Sequence, residues 1–218
     1  MKLKLQTQSL VIEGHPFSVQ LPADQEEMLD LALEGEASGT TDWDPYWGLL
    51  WAAAPKTAEL ILRREWPEKL KAIELGCGIG LTGIAAIKAG LDVTFADHSS
   101  AAVSMTLENV RLNQLPEARG LTFDWNDPPN ETFDFAFASD VLYDARGHQP
   151  LLKTLDRILP TDGMAWIGDA GRVNAPKFVA LARGQNWEVS LVNEQFQPVS
   201  EPPHMSFRMM ILKRRSVS

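Results

Sequence analysis

Apolar and polar residues alternate along 3–21, with interruptions at Gly14 and Pro16, a pattern that predicts short strands or a hairpin at the start of the chain. Residues 24–36 carry an acidic helical pattern that Asp24 would cap and Gly39 would stop. Past a polar link from Ser38 to Asp42, residues 45–66 read as helix, with Pro55 a boundary or a kink. From residue 71 onward, short apolar runs and helical periods alternate regularly. Strands are predicted at 72–75, 92–96, 121–123, 133–138, 164–168, 187–192 and 206–213. Helices are predicted at 81–89, at 99–113 with Ser99 or Ser100 as cap, at 147–159 ahead of Pro160, and at 175–184.

Strands that alternate with helices build a mostly parallel sheet covered on both faces, so the fold class is α/β with seven strands. No helical period separates the last two strands, which are expected to close the sheet as an antiparallel hairpin. Residues 1–42 read as an appendage of strands and a short helix, and residues 43–218 as the α/β domain.

Composition narrows the partners. The 218 residues are ample for one such core, and 20 basic against 29 acidic side chains leave a net charge of −9. That balance argues against a phosphate backbone or an anionic membrane as partner and suits a basic one. The single cysteine excludes an internal disulfide and a multi-cysteine zinc site, and His15, His98, His148 and His204 lack ligand spacing, so no metal is expected. No apolar run has the length of a signal peptide or a membrane span, and a cytoplasmic protein is expected.

The candidate chemistry starts at the strand-to-helix turn Glu74-Leu75-Gly76-Cys77-Gly78-Ile79-Gly80-Leu81-Thr82-Gly83. Glycines there permit a sharp turn and close approach of a nucleotide-bearing ligand. Asp97, at the end of the next strand, stands where a carboxylate can bind ribose hydroxyls. Both features serve NAD and S-adenosylmethionine alike. Glu74 favours the second, because a carboxylate at the strand mouth repels a pyrophosphate but suits an ammonium and a sulfonium.

With these residues the chain resembles the class I, Rossmann-like S-adenosylmethionine-dependent methyltransferases from Asp44 to its C-terminus. The resemblance implies that the loop of Glu74, Gly76, Cys77, Gly78 and Gly80, with Leu81 and Thr82, holds the methionine part of the cofactor. It also implies Asp97 at the ribose, His98 beside the adenosine, and Asp124 and Trp125 bordering the adenine. Trp125 reads equally as a half-buried loop aromatic. Trp43, Trp47 and Trp51 fall four apart, a stripe that suits a core, although Pro45 and Gly48 interrupt it and leave Trp47 and Trp51 as candidate cofactor contacts.

After the fourth strand of the domain comes Ser139-Asp140-Val141-Leu142-Tyr143, where Asp140 and Tyr143 resemble the Asp-x-x-Tyr motif of the family 16 lysine methyltransferases. The segments Asp44-Pro45-Tyr46-Trp47 with Trp51, and Ile167-Gly168-Asp169-Ala170-Gly171-Arg172, resemble the branch acting on the electron transfer flavoprotein β subunit, with Ala170 replacing a proline. The implied activity is methyl transfer to a lysine of a protein substrate, leaving S-adenosylhomocysteine. Asp140 would capture and orient the incoming cation, and Tyr143 would offer its ring face or a hydrogen bond. Otherwise Asp140 caps the following loop and Tyr143 packs in the core. A small-molecule amine methyltransferase of the nicotinamide type, a non-catalytic cofactor-binding module and, more distantly, a NAD-dependent oxidoreductase stay open.

Overall fold

A computed structural model describes residues 4–24, 26–30, 45–200 and 205–215. Strands β1 (Leu5–Ile12) and β2 (His15–Pro22) form a separate antiparallel hairpin. Its turn is Glu13-Gly14, both at positive φ, the geometry that matches strand twist in a tight hairpin. Pro16 does not interrupt the hairpin as expected. It lies within β2, in a sheet whose two strands are both edges and so tolerate a missing N–H. Asp24 Oδ1 accepts from the N–H groups of Glu26 and Glu27, capping the helical residues 26–30 as expected. The rest of that helix, Gly39, Trp43 and Asp44 lie outside the described residues.

The main sheet holds β3 (Lys71–Leu75), β4 (Asp92–Asp97), β5 (Arg119–Thr122), β6 (Phe135–Ser139), β7 (Met164–Asp169), β8 (Trp187–Val192) and β9 (Arg208–Arg214). Its order is β5-β4-β3-β6-β7-β9-β8, and every neighbouring pair is parallel except those made by β9. The last two strands form the antiparallel pair read from the sequence, with β9 inserted between β7 and β8. The chain runs outward from β3 to β5 and returns to β6 beside β3. Strand order therefore reverses between β3 and β6, and their carboxyl ends open the crevice where α/β sheets bind ligands.

Helices α1 (Ala53–Leu62), α2 (Leu81–Lys88) and α3 (Ser100–Leu112) cover one face, and α4 (His148–Ile158) and α5 (Ala175–Gly184) the other. No described helix is long and apolar enough to cross a membrane. Alternation along β3 sends Ala72 to the first core and Ile73 and Leu75 to the second. Phe133, expected to begin β6, is buried but outside the strand, its N–H donating to Ile158 O.

The helix expected over 45–66 is two pieces. Residues Pro45–Gly48 form one 3₁₀ turn, and α1 begins only at Ala53. Gly48 packs where a side chain would press on Pro22 and Met28, so the turn is pinned against the hairpin. Pro55 falls in the first turn of α1, where its missing N–H costs nothing, and kinks nothing.

The hairpin is tied to the domain by two asparagines of α3. Asn109 accepts from Gln20 N–H at 2.7 Å and donates to Gln20 O at 2.9 Å, while Asn113 does the same for Ser18 at 3.1 and 2.7 Å. Side chains four apart on a helix thus complete the outer edge of β2. Asn109 also donates to Ile79 O at 2.9 Å, joining the hairpin to the glycine loop.

Candidate active site

A cleft of about 240 Å³ opens at the carboxyl ends of β3, β4 and β6. Gly76 and Gly78 form its floor, both at positive φ. A Cβ on Gly78 would lie 3.0 Å from Trp47 O, and one on Gly80 would meet Thr106 at 2.5 Å. At these two positions the loop needs glycine for space as well as for φ.

Asp97 lines the cleft and braces the loop. Its Oδ2 accepts from Gly78 N–H and its Oδ1 from Ser99 N–H, both at 3.0 Å, and His98 Nδ1 stands 3.2 Å from Oδ1. Ser99 rather than Ser100 caps α3, accepting from Ala102 N–H. Trp47, Trp51, His98, Trp125 and Ser139 also face the cleft.

Several candidates stand elsewhere. Glu74 was expected at the strand mouth facing the cofactor's cations. Its side chain instead turns beneath the loop, where Oε2 accepts from Gly83 N–H at 3.0 Å. Burial pushes this carboxyl well above its ordinary range. The physical reason is strand alternation, which puts Glu74 on the face of Ala72, under α2. Cys77 is buried, and desolvation holds its thiol well above the ordinary value. Gly80 and Leu81 open α2, and Leu81 belongs to the core. Thr82 lies behind the cleft wall, its hydroxyl 3.4 Å from Ser139 Oγ. Asp124 accepts from Asn126 in a turn and does not line the cleft.

The wall beyond β6 is built on Asp140. This residue has φ +57°, and its N–H donates to Gly168 O of β7. The side chain is fully buried although it borders the cleft. Oδ2 accepts from Ala53 N–H at 2.6 Å, and Oδ1 lies 3.2 Å from Arg172 Nε. Ala53 N–H is one of the orphan donors of the first turn of α1, whose own cap residue, Ala52, has no side chain able to satisfy it. Asp140 was expected to hold an incoming cation. The cation it holds is Arg172, and its second oxygen caps a distant helix.

Arg172, to which the sequence assigned no role, stands against this wall. Its guanidinium carbon lies 4.9 Å from the Trp51 ring centroid and 5.9 Å from that of Tyr143. Tyr46, whose ring is 6.2 Å from Trp51 and 6.1 Å from Tyr143, completes an aromatic rim. Trp51 is fixed by donating from Nε1 to Tyr46 O at 2.9 Å. Behind Arg172, Asp169 Oδ1 accepts from the N–H groups of Gly171 and Arg172 at 2.9 and 3.0 Å, and buried Arg208 stands 3.4 Å from the same oxygen.

Residues 45–177 match the lysine methyltransferase family. The chain belongs to that family. It is 31% identical over 104 residues to a histidine protein methyltransferase 1 homolog of Dictyostelium discoideum, covering 44% of this chain and 34% of that protein. It is 30% identical over 132 residues to the electron transfer flavoprotein β subunit lysine methyltransferase of Danio rerio, covering 59% and 51%. The chain thus spans about half or less of the length of these curated relatives. Its fold is that of a TehB-like SAM-dependent methyltransferase from Corynebacterium glutamicum, with a TM-score of 0.63 at 21% identity over 88% of this chain and 98% of that one.

Proposed function

We propose that this chain is an S-adenosylmethionine-dependent N-methyltransferase whose acceptor is a lysine side chain of a protein. The observation that carries the reading is the cleft itself. A glycine floor and the Asp97 carboxylate stand on one side, and the Asp140 wall with its aromatic rim on the other, within the segment that matches the lysine methyltransferase family.

The residues present fit the cofactor. Gly76 and Gly78 line the cleft with backbone alone, Asp97 offers an acceptor suited to ribose hydroxyls, and Trp125 and Trp47 offer apolar faces for a base. When bound, S-adenosylmethionine would supply a methyl group on a sulfonium; in-line attack of a neutral acceptor nitrogen on that methyl carbon would form the N–C bond as the S–C electron pair leaves on sulfur.

The chain's own task is positional and electrostatic. A lysine with an ordinary pKa of about 10.4 must lose a proton, which costs roughly 4.6 kcal/mol at about pH 7. A lone Asp140 would oppose that loss by stabilising the ammonium. With Arg172 already against Oδ1, its charge is balanced, and an amine beside it is not held protonated. Asp140 then acts as a positioning residue that fixes α1, the Trp51 turn and Arg172 together. The proton leaves to water through the half-exposed rim at Tyr46 and Tyr143.

The histidine methyltransferase relative favours a second reading, a histidine acceptor in the same cleft. The test uses methyl-labelled S-adenosylmethionine with a lysate, then separates protein from small molecules and hydrolyses the labelled band. Methyl-lysine in a discrete band supports the first reading, and methyl-histidine replaces it with the second. Label confined to small molecules overturns both.

A further inference from the structure

Arg172 is held in an unusual way for a surface arginine. Its Nε faces Asp140, and its guanidinium carbon lies 4.9 Å from the Trp51 ring centroid and 5.9 Å from that of Tyr143. Its backbone is clamped by Asp169, and neighbouring Gly171, at φ +91°, packs where a Cβ would strike the backbone of Met205 and Ser206 at 2.5 Å. Among the described residues, neither terminal nitrogen has a partner, and the side chain is 28% exposed.

This arrangement separates the two ends of the guanidinium. The Nε end serves the protein, while the guanidinium carbon lies beside two cleft-lining rings and the side chain stays partly exposed. A planar fork with free N–H groups matches a carboxylate in two-point fashion, which an ammonium cannot do. An arginine needed only to balance Asp140 would not require two rings beside it.

We propose that Arg172 is a substrate-recognition residue that grips an acidic group flanking the methylated nitrogen. On the protein-lysine reading, on which this inference rests, that group is an Asp or Glu side chain at a fixed offset from the target lysine. It also reconciles an acidic enzyme with an acidic recognition element, since the attraction is local and made by one pre-oriented cation.

The test uses peptide libraries with a central lysine and one flanking position at a time fixed as Glu, Gln or Lys. Labelled S-adenosylmethionine reports transfer by the wild type, R172K, R172Q and R172E, and the unfolding midpoint of each protein with S-adenosylhomocysteine checks its fold. The wild type should prefer Glu over Gln about tenfold or more at one offset, expressed in KM rather than kcat. R172K should keep part of that preference, R172Q should lose it, and R172E should move it to Lys at the same offset. Indifference of the wild type to Glu at every offset, or an unchanged Glu preference in R172E, overturns the inference while leaving lysine methylation standing. If only small molecules accept label, the protein reading fails separately. A carboxylate-bearing acceptor whose KM rises in R172Q then supports the role of Arg172, and an acceptor without a carboxylate overturns it. Transfer to nothing overturns both.

Discussion

The Asp140 carboxylate accepts a hydrogen bond from the backbone N–H of Ala53 at 2.6 Å, across 87 positions of sequence. One buried side chain thereby caps α1 and orients Arg172, so the cleft wall and the fold share a support. Asp140→Ala is expected to lower stability by about 1–3 kcal/mol, because it strands a buried N–H and frees a partly exposed arginine. Asp140→Asn keeps an acceptor for Ala53 and should lose less. Urea unfolding of the three proteins checks this order. Unchanged stability in the alanine variant would mean that Asp140 serves only the acceptor.

Glu74 gives a pH signature. Its folded-state pKa is raised above the ordinary 4.5 chiefly by burial. Its contribution to stability is therefore fully present below that ordinary value and is lost as pH rises through the raised one. Glu74→Gln retains an acceptor for Gly83 N–H and does not ionise. The variant should gain on the wild type between pH 5 and 8, measured as the difference in urea midpoints. A gap that moves the other way would mean that the carboxylate is favoured by a cation after all.

Asn109 joins the N-terminal hairpin to the glycine loop through a buried amide that uses both its oxygen and its nitrogen. Asn109→Ala should cost about 2–3 kcal/mol and weaken cofactor affinity as well, since Ile79 O lies in the loop. Asn113→Ala touches only the hairpin, apart from its own helix, and should spare cofactor affinity. Equal effects on affinity would mean that the Asn109–Ile79 bond does not support the cofactor loop.

How far the sequence could be read follows from where each cause lies. The parallel strands were legible because β3, β6 and β7 are short apolar runs with their stops nearby. The break at 49–52 was not, because the donor at Ala53 is satisfied by a residue in another part of the chain. The inward turn of Glu74 follows from the period-two pattern of 72–75, which puts it on the face of Ala72. Arg172 lies in a segment of family resemblance, but nothing near it in sequence points to its partners. Its surroundings exist only once the Asp140–Tyr143 segment and Trp51 converge on it from two separate parts of the chain.

The proposed function requires that the cleft between β3 and β6 take S-adenosylmethionine with Asp97 as a direct contact. Calorimetric titration of S-adenosylhomocysteine into the wild type and Asp97→Ala, with and without excess NAD, tests it most directly. Saturable one-to-one binding is expected, which NAD does not displace and which falls about tenfold or more in the variant. Binding of NAD in place of S-adenosylhomocysteine, or equal affinity in the two proteins, would contradict it.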